Sequence, residues 1–589
     1  MAVTRVFDII PQLLAKYNKP NALAAKENGK WVTYSTQQFA DTVNNLSYGL
    51  IGLGVERNDK IAIISNNRPE WNFADFAVQQ AGAITVPIYP TISENDLNFI
   101  LNDASVKYIF VSSGDLYTKV KGVAAKAPSV KEIYTFNKVE GARHWTEILE
   151  AGRKNPKAAE VEAVKASIKP NDLLTILYTS GTTGNPKGVM LSHNNLLSNS
   201  MASENLCPFN PEWKALSFLP LNHVYERMLT TLYMYKGISI YYAESLETIA
   251  DNLKEIKPEV FSTVPRLLEK VYDKIVAKGT DLTGLKHKLF FWALDLGLRY
   301  ELHGANGWWY ETQLKLANKL IFSKWREALG GNIVAIVSGG AALQPRLARV
   351  FNAAKITVLE GYGLTETSPV IAVNSFLPNG IKFGTVGPVI DKVTVKIAED
   401  GEILVKGPNV MLGYFNRPDA TAEAIDSEGW FHTGDIGMFE EGRFLKITDR
   451  KKEIFKTSGG KYIAPVMIEN RIKESPFIEQ ALVIGENQKY ASALLVPSFA
   501  FIQEYCKRKG IEYKSNEDII KNPEIKARIL EEIEKVNQDL AQYEKIKRPE
   551  LLAREWSIER GEMTPKLSLK RKVILAANKD LVDKIYSEQ

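Results

Sequence analysis

At 589 residues the chain is longer than one hydrophobic core usually supports, so two or more domains are expected. Its 45% hydrophobic and 24% charged residues are an ordinary soluble globular composition, and a net charge of +5, small against 74 basic and 69 acidic residues, gives no case for nucleic-acid binding. Two cysteines, Cys207 and Cys506, exclude a disulfide framework and a dedicated zinc site, and are expected to be reduced thiols of a cytoplasmic protein.

The N-terminal octet, Met1 to Asp8, lacks the apolar core of a secretory signal. Apolar periodicity then predicts a helix over 36–53, a strand over 60–65, a helix over 69–80, a strand over 84–89, a helix over 94–101 and a strand over 108–111. The charge-free run from Phe76 to Ser93 is long enough for a bilayer. Gln79, Gln80, Gly82, Pro87 and Pro90 within it suit helix, turn and strand instead, so no segment is expected to span. The alternation predicts an α/β fold with a large N-terminal domain of helix-covered, mostly parallel sheets. From about Gly384 short strands at 393–397 and 401–407 predict a small, mostly antiparallel β-subdomain. After Asp449-Arg450-Lys451-Lys452 the pattern changes again, mixing hairpin signals such as Ser458-Gly459-Gly460-Lys461 with charged helical sequence over 523–543. The expected division is an N-terminal domain, 1–448, and a smaller α+β C-terminal domain, 449–589.

One run carries most of the chemistry: Tyr178-Thr179-Ser180-Gly181-Thr182-Thr183-Gly184-Asn185-Pro186-Lys187-Gly188, after an apolar strand over 173–177 and before helical sequence from about His193. Glycines let backbone N–H groups curl around an anion, hydroxyls add donors, and Lys187 supplies a point charge, so a polyphosphate is the natural guest. The P-loop of other nucleotide enzymes is excluded, because Pro186 stands where that motif requires glycine before the lysine. The run resembles the phosphate-binding signature of the adenylate-forming enzymes, the superfamily of acyl-CoA synthetases, luciferases and peptide-synthetase adenylation domains, and further signatures follow in that superfamily's order.

Leu219-Pro220-Leu221-Asn222-His223 resembles the element whose histidine sits near the acyl carboxylate, and the continuation through Arg227 is similar to the long-chain branch. Ser338-Gly339-Gly340-Ala341-Ala342, after a strand over 333–337, resembles the turn that lies against adenine, although a plain tight turn explains its glycines equally well. In Glu360-Gly361-Tyr362-Gly363-Leu364-Thr365-Glu366 the resemblance implies that Tyr362, beside Gly363, stacks on adenine, Thr365 reaches the α-phosphate, and Glu366 with Thr179 holds Mg²⁺. It further implies that Asp435 of Thr433-Gly434-Asp435 and Arg450 bind ribose, and that Asp449 is a hinge between the domains. Lys451 and Lys452 read equally as a solvated basic face.

Pro565-Lys566-Leu567-Ser568-Leu569-Lys570-Arg571-Lys572 stands in place of the superfamily's C-terminal lysine motif, one residue shorter and with Leu569 where glycine is usual. Lys570 is the expected catalytic cation, with Arg571 and Lys572 open as alternatives. The resemblance implies that the C-terminal domain pivots at Asp449, withdrawing Lys570 after adenylation and bringing the Ser458-Gly459-Gly460-Lys461 hairpin to a tunnel for coenzyme A. Catalytic roles are thus expected for Lys570, His223 and Lys187, with Mg²⁺ accompanying ATP and coenzyme A as co-substrate.

The expected reaction joins a long-chain fatty acid to coenzyme A through an acyl-adenylate. Alternatives are loading of an acyl carrier protein, use of a medium-chain or aryl acid, and a non-catalytic nucleotide or lipid sensor. The long chain rests on branch likeness and on an apolar insertion over 284–304. Drawn as a helix, it carries one stripe of Leu285, Leu289, Trp292, Leu296 and Tyr300 and a second of Phe291, Leu294, Leu298 and Leu302. Two apolar sides predict a helix sandwiched between layers. The alternative is that one side, with Trp308 and Trp309, dips into a membrane interface.

Overall fold

The computed structural model describes residues 2–179, 185–557, 559–563 and 569–587, without the side chains of Glu504 and Arg508. Two eight-stranded sheets dominate the first 450 residues. One runs from edge to edge as Gly413–Tyr414, Lys187–Ser192, Leu173–Thr179, Ile84–Ile88, Lys60–Ile64, Val106–Val111, Glu132–Thr135 and Arg143–His144. Its six strands from Leu173–Thr179 to Arg143–His144 are parallel; the first two join antiparallel. The other has parallel strands Thr357–Gly363, Ala335–Ser338, Val260–Thr263, Lys214–Ser217 and Ser239–Tyr242 at its centre. Strands such as Ile84–Ile88 and Val260–Thr263 are buried at every position, as a parallel strand covered on both faces requires.

The helix Pro69–Gln80 contacts both sheets, and all of its residues are buried. A helix enclosed on every side needs no polar face, which accounts for the charge-free run that begins at Phe76. Its Asn72 reaches the second sheet, donating to Tyr242 Oη at 2.7 Å. Arg227 on the helix Val224–Tyr235 ties the same helix to the first sheet: its guanidinium meets Asp75 Oδ1 at 2.6 Å and Thr175 Oγ1 at 2.7 Å, with both charged side chains almost fully buried. No helix among the described residues is long and apolar enough to cross a membrane.

Beyond the sheets, Thr394–Ile397, Glu402–Lys406, Phe431–Glu440 and Phe444–Arg450 form a four-stranded antiparallel sheet, as the pattern from Gly384 predicts. The chain then builds a separate core. Its buried residues run from Phe455 to Ile585, whereas those of the other three cores end at Leu445. This last region holds a three-stranded sheet of Ile478–Ile484, Ser492–Pro497 and Glu550–Leu551, flanked by helices. The helix Pro523–Gln538 is typical: Asn522 caps it, Pro523 begins it, and Ile525, Ile529 and Ile533 recur at four-residue spacing to fill the core. It ends five residues short of the predicted Tyr543.

The insertion forms a helix at Gly284–Leu298, and its chain turns at His303, where φ is +59°. Phe290, Ala293, Leu294 and Leu296 are buried in the second core, and Phe291, Trp292, Leu298 and Tyr300 pack against it. The sandwiched reading holds for most of the helix. Leu285, at its start, is 71% exposed.

Candidate active site

A cleft of about 2680 Å³ opens between the large sheets, the four-stranded sheet and the C-terminal region. Its walls include Thr179, Lys187, His223, Gly339, Gly340, Ala341, Tyr362, Gly363, Thr365, Glu366, Asp435, Asp449, Arg450 and Lys570, so nearly every predicted site residue that is described meets here. Ser180, Gly181, Thr182, Thr183 and Gly184 lie outside the described residues.

The strand Lys187–Ser192 pairs antiparallel with Leu173–Thr179, with Thr179 opposite Lys187. The strands on either side of the glycine-rich run are therefore antiparallel neighbours, and the helix His193–Ala202 begins only after a strand that periodicity did not predict. Lys187 Nζ lies 5.0 Å from the ring centroid of Tyr414. The Tyr414 hydroxyl donates to Glu366 Oε1 at 2.9 Å, so one aromatic ring links the lysine to the predicted metal carboxylate. Burial and the Glu366 charge together push the Tyr414 phenol far above its ordinary pKa. It stays a donor at any working pH.

On the facing wall the strand Ala335–Ser338 leads into the 339–343 turn. Gly340 has φ +83°, and a Cβ on Gly339 would press on the Tyr225 ring, whose hydroxyl donates to Val337 O at 3.0 Å. Leu343 N–H donates to Glu360 Oε1 at 2.8 Å, which fastens the turn to the neighbouring strand. Burial raises the Glu360 carboxyl to about 8, so it is neutral at pH 7. A Cβ on Gly363 would collide with the Pro369 carbonyl, so the backbone itself requires glycine there. Tyr362 donates to Asp435 Oδ2 at 2.6 Å, and Arg450 Nε approaches Asp435 Oδ1 at 3.4 Å. Asp435 and Arg450 are fifteen residues apart in sequence but directly opposite across antiparallel strands.

His223 caps the helix Val224–Tyr235: its Nδ1 accepts the Tyr225 N–H at 3.1 Å, which puts the proton of a neutral ring on Nε2. The turn that carries it hangs from the first sheet. Asn222 Nδ2 donates to Ile88 O, and Asn67 bonds both Leu219 O at 2.6 Å and Leu221 N at 2.9 Å. Along the helix after His223, Met228, Leu229 and Leu232 also line the cleft, as do the apolar Cys207, Val370 and Val373, and together they form its apolar arm. Burial in that arm holds the Cys207 thiol neutral, its pKa pushed up to about 12. No described residue of 284–304 lines the cleft.

Around Asp449, the predicted hinge, Oδ1 accepts Arg450 N–H at 2.6 Å and Oδ2 accepts Val466 N–H at 3.2 Å. Lys451 pairs with Glu402 at 2.8 Å and Asp400 at 2.6 Å, so it ties the segment after Arg450 to the four-stranded sheet and is more than a solvated charge. Lys570 precedes the helix Arg571–Ala577, is exposed, and faces the cleft. Arg571 is occupied elsewhere: its guanidinium binds Glu469 Oε1 and Val483 O, each at 2.6 Å. Pro565, Lys566, Leu567 and Ser568 lie outside the described residues. Ser458, Gly459, Gly460 and Lys461 form a hairpin between Phe455–Lys456 and Tyr462–Ile463, and none of the four is among the residues lining the cleft. The two regions are braced against each other by an Arg266–Glu479 ion pair and by Gln344 Nε2 donating to Lys473 O at 3.2 Å.

The AMP-binding enzyme family matches residues 15–415, and the family's C-terminal domain matches 452–589. The chain is an AMP-binding enzyme. It is 33% identical over 568 residues to a long-chain-fatty-acid–CoA ligase, FadD15, of Mycobacterium bovis, covering 95% of this chain and 94% of the relative. It is 32% identical to the long-chain-fatty-acid–CoA ligase ACSBG2 of Xenopus laevis, covering 99% and 84%. Among solved structures, the anthranilate CoA ligase AuaEII with anthranoyl-AMP shares the fold at a TM-score of 0.74 and 17% identity, covering 98% of each chain. A Mycobacterium tuberculosis fatty acyl CoA synthetase does so at 0.65 and 20%, covering 98% and 99%.

Three residues of this AMP-binding enzyme's cleft escaped the sequence reading: Tyr414, Glu360 and the Glu469 partner of Arg571. Glu360 had one available signal, its position at the end of an apolar strand beside the Tyr362 motif. Tyr414 and Glu469 had none, because their partners are 48 and 102 residues away. Asp449 adds a pH dependence. Burial, with Glu469 and Glu453 nearby, raises Asp449 from 3.8 to about 7. A carboxyl raised on folding contributes stability that is complete below its unfolded pKa, near 4, and exhausted as pH rises through about 7. Thermal melts of wild type and Asp449→Asn should therefore diverge between pH 5 and 7, wild type losing ground as pH rises, and run parallel above. Parallel melts throughout would show that Asp449 is not raised.

Proposed function

We infer that this AMP-binding enzyme joins a long-chain fatty acid to coenzyme A. The fatty carboxylate attacks the α-phosphorus of ATP, forming an acyl–phosphate bond and expelling pyrophosphate; the coenzyme A thiol then attacks the acyl carbon and AMP leaves. The observation that carries the reading is one continuous cleft. Its polar end holds Lys187, Glu366, Asp435 and Arg450, and its apolar arm runs back from His223. Leu232, at 1.5 Å per residue, lies about 13 Å along the helix from His223, which is room for an extended hydrocarbon.

In this reading Thr179, Lys187 and residues 180–184 of the glycine-rich run cradle the phosphates, and the 339–341 turn and Tyr362, beside Gly363, hold adenine. Asp435 and Arg450 bind ribose, while Thr365 and Lys570 address the α-phosphate. Glu366 suits Mg²⁺ brought by ATP, since one carboxylate with a hydroxyl such as Thr179 leaves most coordination to phosphate and water oxygens. That cation supplies neutralisation of phosphate charge against an incoming carboxylate. We place the domain boundary at 448/449, with Asp449 as pivot and the 458–461 hairpin as the element that serves coenzyme A after rotation. Lys570 facing the cleft while that hairpin does not supports an adenylating arrangement. We take the enzyme to be cytoplasmic, with peripheral contact at a lipid surface.

ATP–pyrophosphate exchange across acids of increasing length tests the reading. Each buried methylene is worth roughly 0.8 kcal/mol, so kcat/KM should climb about 15-fold per two carbons until the arm is full. Exchange that is best with acetate or benzoate would overturn the long chain, and absent exchange would favour a sensor. Products identified by mass with coenzyme A or an acyl carrier protein settle the acceptor.

A further inference from the structure

The helices Gly284–Leu298 and Trp308–Ala317 lie side by side and antiparallel. Tyr310 Oη donates to Leu296 O at 2.5 Å, Trp292 Nε1 donates to Gln313 Oε1 at 3.4 Å, and Phe290 meets Trp325 at 6.4 Å between ring centroids. The first two pairs step back along the first helix as they step forward along the second, and Trp325 lies further on, on the helix Ser323–Ala328. This register sets Leu285, Leu289 and Trp292 beside Gln313, Leu316 and Leu320.

The outer side of this pair has an unusual surface. Trp308 is 78% exposed, Trp309 62%, Leu285 71%, Leu316 49% and Leu320 41%, a concentration of large apolar side chains on adjoining turns. Trp309, Leu316 and Leu320 follow helical spacing on one ridge. The next ridge carries Trp308, Thr312, Lys315 and Lys319, and Lys286, Lys288 and Lys324 are exposed around it. Of the acidic groups on the same elements, Asp295 is paired with Arg299, Glu311 is half-buried with Oε1 enclosed, and Glu327 is exposed on the short helix that it shares with Lys324 and Arg326. An apolar strip flanked by lysines has the chemistry of a surface that enters a lipid headgroup layer: tryptophans sit at the boundary, lysine stems lie along it, and their ammonium groups meet anionic phosphates. A second copy of the same chain would face lysine with lysine, so charge complementarity favours an anionic bilayer over self-association.

We propose that the Trp308–Trp309–Leu316–Leu320 face, with Leu285 and its ring of lysines, docks the enzyme peripherally on anionic membranes. None of these side chains lines the cleft, so docking leaves the reacting groups unencumbered. The proposal rests on the fatty-acid reading for its purpose, since long-chain acids partition into bilayers, but not for its physics.

Flotation of the full chain with vesicles, free of fatty acid, tests it directly. Vesicles of phosphatidylcholine with phosphatidylglycerol should carry the wild-type protein at low salt, release most of it at high salt, and outperform phosphatidylcholine alone. Lys315→Gln with Lys319→Gln should lower the partition coefficient about 25-fold, at about fivefold per lysine. Trp308→Ser with Trp309→Ser should lower it at least as much, and neither pair should change exchange with water-soluble octanoate. Wild type recovered wholly off the vesicles, or both variants binding like wild type, overturns the proposal. So does light scattering that shows a dimer split by the Trp308→Ser, Trp309→Ser variant. Because no substrate is present in the flotation, a wild type that fails pyrophosphate exchange condemns the ligase reading and leaves the docking result standing.

Discussion

Lys570→Ala should lower pyrophosphate exchange by about 10²–10³-fold while leaving conversion of supplied acyl-adenylate to acyl-CoA within a few-fold of wild type. The asymmetry follows from charge. When carboxylate meets phosphate, negative charge accumulates at the α-phosphate, and a cation aimed there acts most strongly in the transition state. In the second step the adenylate is already formed and AMP only has to leave. Lys570 is exposed and heads a helix without being buried in it, so the substitution should leave the melting temperature unchanged. Rapid-quench measurement of each half-reaction separates the outcomes. Equal losses in both would remove Lys570 from this role, and no loss in either would transfer it to Lys572.

The contrast between what the residue pattern foretold and what it missed has a physical cause. Helices and strands declare themselves through local periodicity, which is why Pro69–Gln80 appears with the predicted bounds and the β-subdomain where expected. A run dense in glycine and hydroxyls likewise raises the expectation of a phosphate cradle without reference to the rest of the chain. Pairings across strands and domains leave no such mark. Tyr414 becomes a neighbour of Lys187 only because Gly413–Tyr414 adds to the edge of the strand that Lys187 begins. The long-chain expectation drew part of its support from the wrong place. The 284–304 segment is apolar because it closes the second core and presents an outer face, whereas the arm suited to an acyl chain is built by the helix after His223. Apolar character alone does not distinguish a residue facing a ligand from one facing a core or a membrane. Only the packing decides, and packing is a property of distant elements brought together.

Arg571 illustrates the same point and yields the second large effect. It adjoins Lys570 in sequence and is equally basic, yet its guanidinium is spent on Glu469 Oε1 and Val483 O, while Glu469 also accepts the Val483 N–H at 2.7 Å. Arg571→Ala should leave the buried Glu469 carboxylate without its cation and cost about 3–5 kcal/mol in the C-terminal domain. Calorimetry should register this as an early transition, with both half-reactions falling together at temperatures where that domain loosens. Glu469→Gln combined with Arg571→Met should recover most of the loss, because the glutamine carbonyl still accepts the Val483 N–H and no charge remains buried; the coupling energy in the double-mutant cycle should exceed about 1 kcal/mol. A different result would reassign the residue. If Arg571→Ala barely moves the melting temperature but abolishes adenylation as Lys570→Ala should, Arg571 is the cation at the phosphate and the Glu469 contact is incidental. The two neighbours are thus separated by how they fail: one by rate at constant stability, the other by stability with rate following.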